Sequence, residues 1–590
     1  MWPGFAGWRW EIGAAALLLL LYATLLWVMP KGAFWHPDEG GKFIQMQSLR
    51  WDGGWRYNVP YRGASRDPRL EYYVGRCAGD RVYPTVSDSG VRFQWPIWFP
   101  LVTQPLFARF GITGLYLIPL AGGWLTAVLT GILVRPFGSF LAALTMVLVG
   151  SATPVVFYSV HFLEHTPATA LCLGALLASD PSDVRRGGWL AVPLLIVAVA
   201  LRIEMLVFVL AMAIGWPLAT IAGANRSGGG SVPVRIGVGS RSRLIGVALV
   251  GVGLAVAVVF SLTPRHLQRL AELPEMVRFT RRKLPYLVDS LRYLLVNAPG
   301  TEAAPVTRGS ELVALTAVAA CFLAPFLRPR RFETGVILLG LAIVAEFSLV
   351  IILASHPYAS RQGILTIAPF LVIAVYAVPE AWRRRDHSLV YLVSVALLYF
   401  IFSLFMIFVT RVGYSGDYLV GLEGASRYLL PFYPLWTALS VVALAAYHGS
   451  PRTQLVRSLF TLIVALTMMM SLTYQARGLL ALAENRRRIG LWQDALPDDV
   501  PVVTDAWWLP AFVAPYFTEH EMYCVSSPKA MSSWLTFAQA HDVTRFVFAS
   551  RERSEPQSLP AASPGLRRES EQSVDGLRLV AFAFAKADGS

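Results

Sequence analysis

Apolar runs of roughly 20 residues recur along this chain, and no other feature limits its fold so tightly, because a helix needs that length to cross the ~30 Å hydrocarbon layer of a bilayer. Runs such as 17–21 and 194–201 are apolar on every side, whereas a strand of a membrane barrel would alternate with a polar face. Helices are therefore the spanning element. A composition of 55% hydrophobic and 15% charged residues excludes a string of soluble domains. The expected fold class is a polytopic α-helical membrane protein.

Thirteen spans are expected, at 12–28, 112–134, 139–157, 161–178, 189–201, 204–222, 244–262, 311–327, 335–354, 363–378, 389–409, 428–447 and 459–474. The first follows Arg9 and precedes no small-residue cleavage site, so it reads as an uncleaved signal anchor. The formal charge of +14 sits mainly in short loops, with Arg135, Arg185, Arg186, Arg328, Arg330, Arg331 and Arg383 to Arg385 on one set of them. That is the positive-inside pattern and not a nucleic-acid surface, and it makes those loops cytoplasmic. Segments 31–95 and 264–310 and the tail then lie outside the cytoplasm. Residues 1–476 form the transmembrane domain, with 31–95 as its first outer loop and 264–310 as another.

The tail, 477–590, is different material. Apolar stretches at 500–503 and 545–549, a helix-like 528–540 and a last strand at 577–584 predict a small extracytoplasmic α/β domain. Residues 554–573, rich in Ser, Pro, Glu and Arg, read as a surface loop. No internal repeat supports an inverted-repeat transporter. Four cysteines are too scattered for a disulfide framework or a zinc cluster. Cys77 and Cys524 both fall in outer segments, which leaves a bridge open, with unpaired thiols the favoured expectation.

The sharpest motif is Phe34-Trp35-His36-Pro37-Asp38-Glu39-Gly40, where the first span leaves the membrane. Pro37 stops that helix from continuing and presents two carboxylates. Phe43, Ile44, Met46 and Leu49 then describe an amphipathic helix along the interface. Asp38 and Glu39 can cap that helix or do chemistry. The string, directly after a signal-anchor span, resembles the first outer loop of the GT-C glycosyltransferases. These include the protein O-mannosyltransferases, bacterial lipid A aminoarabinose transferases, oligosaccharyltransferase catalytic subunits and GPI mannosyltransferases.

The resemblance implies a GT-C fold in a bacterial inner membrane, with Asp38 as the catalytic carboxylate acting on the acceptor and Glu39 supporting it. It implies a polyprenyl-phosphate sugar donor, mannose or arabinose in type, and a glycan, lipid or protein acceptor outside the cytoplasm. No cofactor is required by it, although some branches use a divalent cation, Mg or Mn.

A second cluster is Tyr158, His161, Glu164 and His165, whose spacings of three and four predict one shared helical face. His161-x-x-Glu164-His165 is formally the inverted zinc-protease pattern, so a membrane zinc peptidase is one alternative. The GT-C resemblance instead implies a second acidic site between the third and fourth spans, with Glu164, His165, His161 and also His36 as acceptor or metal candidates. A polar plug is the plain structural reading.

Third, Arg427-Tyr428-Leu429-Leu430-Pro431-Phe432-Tyr433-Pro434 resembles the Arg-Tyr-x-x-Pro-x-x-Pro pattern of GT-C transferases. His356 and Arg361 resemble the His and Arg region of the mannosyltransferase branch, with Gln362 where an aromatic is usual. Arg361, Arg427 and Tyr428 are thus the expected donor-phosphate residues, since a guanidinium holds a phosphate in a charge-assisted fork. Snorkelling is the ordinary alternative.

Arg202 and Glu204 fall between two spans with hardly a loop, so they are expected to pair or to face an internal cavity. Arg278, Arg281, Arg282 and Lys283 would either steer an anionic lipid or form a solvated face. Trp507 and Trp508 suit either sugar stacking or a small core. A transporter or flippase for a lipid-linked glycan remains the other functional alternative.

Overall fold

A computed structural model of the chain describes residues 8–51, 55–57, 59–78, 83–87, 90–92, 95–180, 188–224, 308–324, 330–354, 363–384, 386–411, 425–448, 454–552 and 565–585. The expected span 244–262, the segment 264–307 with Arg278, Arg281, Arg282 and Lys283, and the residues His356, Arg361 and Gln362 lie outside the described residues. Two compact units divide the chain: Met1–Trp27 with Tyr116–Ala481, and Val28–Leu115 with Leu482–Ser590. The sequence treated 31–95 as a loop of the transmembrane domain; the structure groups it with the tail.

The first unit is helical. Among the described residues five helices are long and apolar enough to cross a membrane by length and composition: Arg9–Val28, Trp98–Phe137, Ile203–Ile221, His387–Phe405 and Gln454–Ala495. Seven shorter apolar helices, from Ser139–Ala152 to Phe432–Ala446, coincide with the remaining expected spans that are described. Proline shortens several of them. The run 139–157 is two helices, Ser139–Ala152 and Pro154–Ser159, because Pro154 cannot donate into the preceding turn and Thr153 caps the new helix, its hydroxyl accepting from Val155 N at 3.3 Å. Likewise 363–378 breaks at Ala368, and Pro369–Tyr376 continues as a 3₁₀ helix.

Close packing in this unit needs small residues. Gly150 has no room for a Cβ beside Leu18, and its carbonyl accepts a 3.0 Å hydrogen bond from the buried Tyr22 hydroxyl. Tyr22 packs with Leu120 and Val156. Glu11, 2% exposed, is matched by Arg135 Nε at 3.1 Å, so its burial is compensated.

The second unit is built on a five-stranded sheet in the order Met522–Cys524, Val502–Thr504, Arg545–Arg551, Leu577–Phe584, Leu566–Val574. The first three strands are parallel and the last two pair antiparallel. Pro528–Ala540 crosses between two parallel strands and buries Trp534 against Phe546, ring centroids 4.7 Å apart. The helix 528–540 and the strand 577–584 lie where the sequence put them. The expected loop 554–573 is different: its described end belongs to the edge strand Leu566–Val574. That strand carries exposed charge and no apolar alternation, and pairs such as Arg578 Nε to Glu571 Oε1, 2.7 Å, join it to its neighbour. Its turn, Asp575-Gly576, has both φ values positive, 46° and 84°, which is the two-residue hairpin geometry that favours Asp-Gly.

Segment 28–115 is fixed to this sheet. Cys77 and Cys524 form a disulfide, Cα atoms 5.9 Å apart, which corrects the expectation of free thiols. Only Cys172 and Cys321 are free, both buried. Arg66 Nη1 pairs with Glu521 at 2.5 Å, and Cys524 N donates to Tyr72 O at 2.9 Å.

Candidate functional site

In the second unit, the sequence His36-Pro37-Asp38-Glu39 starts a helix, Pro37–Ser48. His36 is the N-cap: its Nδ1 accepts from Asp38 N at 3.1 Å, which fixes the proton on Nε2 when the ring is neutral. Pro37 occupies the first turn, where its missing N–H costs nothing. Glu39 closes a capping box, its Oε2 accepting from Trp35 N at 2.9 Å and His36 N at 3.3 Å. Its Oε1 meets Arg486 Nη2 at 3.4 Å, and both side chains are sealed from solvent, 0% and 1% exposed. Glu39 is therefore committed to holding the turn. Asp38 keeps 17% of its side chain exposed, with His36 Nδ1 3.5 Å from its carboxylate. Capping thus explains Glu39, and the accessible carboxylate is Asp38.

The helix does not lie along an interface with one wet side, as the periodicity suggested. Every residue from Glu39 to Met46 is buried. The pair Gly40-Gly41 permits this, since a Cβ on Gly40 would fall inside the Ala511 carbonyl. Lys42, one turn on from Asp38 and 2% exposed, sits 5.3 Å from the Trp95 ring centroid. The sequence offered a signal for it: this is one of few lysines among 51 basic residues, and it falls on the face of Asp38.

Pro37 also lines a cavity of about 690 Å³ within this unit. Trp492, Trp507, Trp508 and Phe512 form its aromatic side; Trp492 and Trp508 are 5.8 Å apart between centroids. The segment from Trp507 to Ala511 is pinned by Tyr83, whose hydroxyl donates to Trp507 O at 2.6 Å and accepts from Ala511 N at 2.9 Å. Burial pushes the Tyr83 phenol well above its ordinary pKa, so it stays a neutral donor. Arg488 lies 5.6 Å from the Trp492 ring, and Arg551 and Glu552 complete the polar side.

The first unit holds the other candidates. His161 to Glu164 are not helical; the helix His165–Ala178 begins after them, with Glu164 at its N-cap position. The shared helical face expected for His161, Glu164 and His165 is thus absent, because the Pro154–Ser159 helix ends before His161 and the next helix starts only at His165. Glu164 and His165 converge instead on Arg202: Nη1 is 3.3 Å from Glu164 Oε1 and in contact with His165 Nε2. Arg202 Nη2 pairs with Glu204 Oε1 at 3.1 Å, the partnership their spacing predicts. Tyr158 stacks on His165 with ring centroids 5.5 Å apart, and His161 packs on Phe157 at 4.5 Å.

Arg427 and Tyr428 join the same cluster. The Tyr428 ring has two guanidiniums beside it, Arg202 at 5.5 Å and Arg427 at 5.0 Å, and its hydroxyl accepts from Arg427 Nη2 at 3.2 Å. Tyr399 donates to the Tyr428 carbonyl at 2.9 Å, which fixes the turn. Arg202 is already met by Glu164 and Glu204, and Arg427 is the second guanidinium of this cluster. Among the described residues no group of three or more His, Cys, Asp or Glu is arranged to hold a metal ion, and the guanidinium against Glu164 and His165 opposes a cation there. Sequence reasoning missed Arg486, Lys42, Arg488, Trp492 and Arg551; the run Arg486 to Arg488 reads as solvated charge until its partner is known.

No protein-family model matches the chain, and no curated protein matches it. Solved structures similar to it include ArnT from Cupriavidus metallidurans in the apo state, at 13% identity and TM-score 0.46, covering 97% of this chain and 98% of that one. The same protein bound to undecaprenyl phosphate is 14% identical, TM-score 0.45, over 96% and 98% of the two chains. The Archaeoglobus fulgidus oligosaccharyltransferase in apo form is 11% identical, TM-score 0.37, over 91% and 69%.

Proposed function

We propose that this chain is a membrane glycosyltransferase of the GT-C type, moving a sugar from a polyprenyl-phosphate donor to an extracytoplasmic glycan, lipid or protein acceptor with inversion. The observation that carries the reading is the split between neighbouring carboxylates: Glu39 is engaged by capping and Arg486, while Asp38 keeps 17% of its side chain exposed. In this reading the thirteen expected spans make up residues 1–476, and 477–590 is an outer domain at a bacterial inner membrane. The Cys77–Cys524 bridge supports the outer placement, since disulfides persist in oxidising compartments.

Asp38 accepts the proton of the acceptor hydroxyl as that oxygen attacks the anomeric carbon. The bond from that carbon to the lipid phosphate oxygen breaks, and the phosphate leaves with the electron pair. Arg361, Arg427 and Tyr428 are the residues proposed to hold a donor phosphate. Among the described residues, Arg202 against Glu164 and His165 does not fit a bound metal there, and no step is routed through one.

A zinc peptidase would need His161, Glu164 and His165 clear of Arg202. The test is transfer by the purified protein in vesicles supplied with labelled polyprenyl-phosphate mannose or arabinose. Asp38→Asn should lower transfer on the order of 10² to 10⁴-fold while the disulfide still forms. Transfer undiminished in Asp38→Asn, or movement of intact lipid-linked sugar without bond cleavage, would refute the proposal, the second outcome in favour of a flippase.

A further inference from the structure

The cavity beside Pro37 carries features that proton transfer at Asp38 does not need. Its indoles come from separate segments, Trp492 on the Gln454–Ala495 helix, Trp507 and Trp508 after the Val502–Thr504 strand. Their positions are fixed: Trp492 Nε1 donates to the Asp575 carbonyl at 3.2 Å, and Tyr83 pins the Trp507 backbone. The Asp575-Gly576 hairpin turn is thereby held at the cavity wall, and Glu552 N donates to Gly576 O at 3.0 Å. Planar polar groups of both signs stand among the rings, Arg488 and Arg551 against Glu552 and Asp575.

That mixture selects a ligand class. A lipid chain offers no polar group to the four charged residues it would cover, and a strongly anionic group would meet two carboxylates as well as two arginines. A sugar ring fits both halves: its C–H face is apolar enough to lie on an indole, and its hydroxyls donate to carboxylates and accept from guanidiniums. The cavity volume, 690 Å³, falls in the range of about 300–1,000 Å³ found for small-molecule sites. Pro37, which lines the cavity, and Asp38 share the first turn of the Pro37–Ser48 helix, so an acceptor held here is brought to the turn that carries that carboxylate.

We infer that this cavity is the acceptor subsite and that the acceptor is a glycan, engaged through an uncharged sugar residue on Trp492, Trp507 and Trp508. Its role as an acceptor subsite rests on the glycosyltransferase reading; the binding does not. Calorimetric titration of the full chain in nanodiscs would use neutral tetrasaccharides of mannose, glucose, galactose and arabinose, with inorganic phosphate and an acidic pentapeptide as comparators. At least one tetrasaccharide should bind saturably, and about tenfold more weakly to Trp508→Ala. Arg551→Gln, at an exposed position, should weaken binding as well and guards against a folding defect in the tryptophan variant. The inference is overturned if no tetrasaccharide binds better than phosphate or peptide, or if Trp508→Ala and Arg551→Gln bind as the parent does. Saccharide binding without transfer from any polyprenyl-phosphate sugar keeps the subsite and removes the enzyme. Transfer to a non-glycan acceptor, unaffected in Trp508→Ala, does the reverse.

Discussion

Each compact unit buries an arginine against glutamate, and the two pairings serve different ends. Arg486 has Glu39, whose carboxylate also accepts from two backbone N–H groups, so both oxygens of that glutamate are engaged. Arg202 has Glu164 and Glu204, touches His165, and shares the Tyr428 ring with Arg427. Its partners come from three chain segments, and one of them, Glu204, keeps 27% of its side chain exposed. The lesson is that burial of charge by itself identifies no site. What matters is whether the partners exhaust one another.

The difference can be broken experimentally. Glu39→Gln removes a counter-charge from the buried Arg486 guanidinium, a cost of about 3–5 kcal/mol, read as a large fall in melting temperature. Adding Arg486→Met should recover much of it; no recovery would show that the two do not act as a pair. Asp38→Asn, by contrast, should leave melting unchanged while transfer is lost. Gly40→Ala forces the helix away from the Ala511 carbonyl and should cost about 1–3 kcal/mol in the same assay. Glu204→Gln should cost only about 1 kcal/mol, because Glu164 still offsets Arg202; a loss as large as that of Glu39→Gln would make the two clusters alike.

The smallest effect is at Asp505, whose pKa burial raises. A carboxyl raised in the fold favours the folded state below its unfolded pKa, and that contribution is lost as pH rises through the folded value. Asp505→Asn should therefore melt slightly higher than the parent near neutral pH, with the gap closing in acid.

Much of the helical unit was legible because span length is a one-dimensional property: Arg9–Val28 and His387–Phe405 can be read without knowing a neighbour. The amphipathic 528–540 and the alternating 577–584 were equally local. What escaped depends on distant partners. Residues 566–574 carry no strand pattern, since their pairing is charge on an exposed edge. The spacing of His161, Glu164 and His165 fits a helix and a bend alike, and the backbone chose the bend. Asp38 and Glu39 are indistinguishable in sequence; Arg486, 447 residues away, separates them.

The disulfide has a consequence for biogenesis. The loop it closes contains nearly all of the helical unit, so the chain must extend past residue 524 before the bridge can form. On the proposed topology Cys77 is exported early and must wait as a thiol until Cys524 follows, while Cys172 and Cys321, inside helices, offer it no alternative partner. Oxidation at this position marks a chain that has passed residue 524, and chains stalled or truncated earlier cannot acquire it.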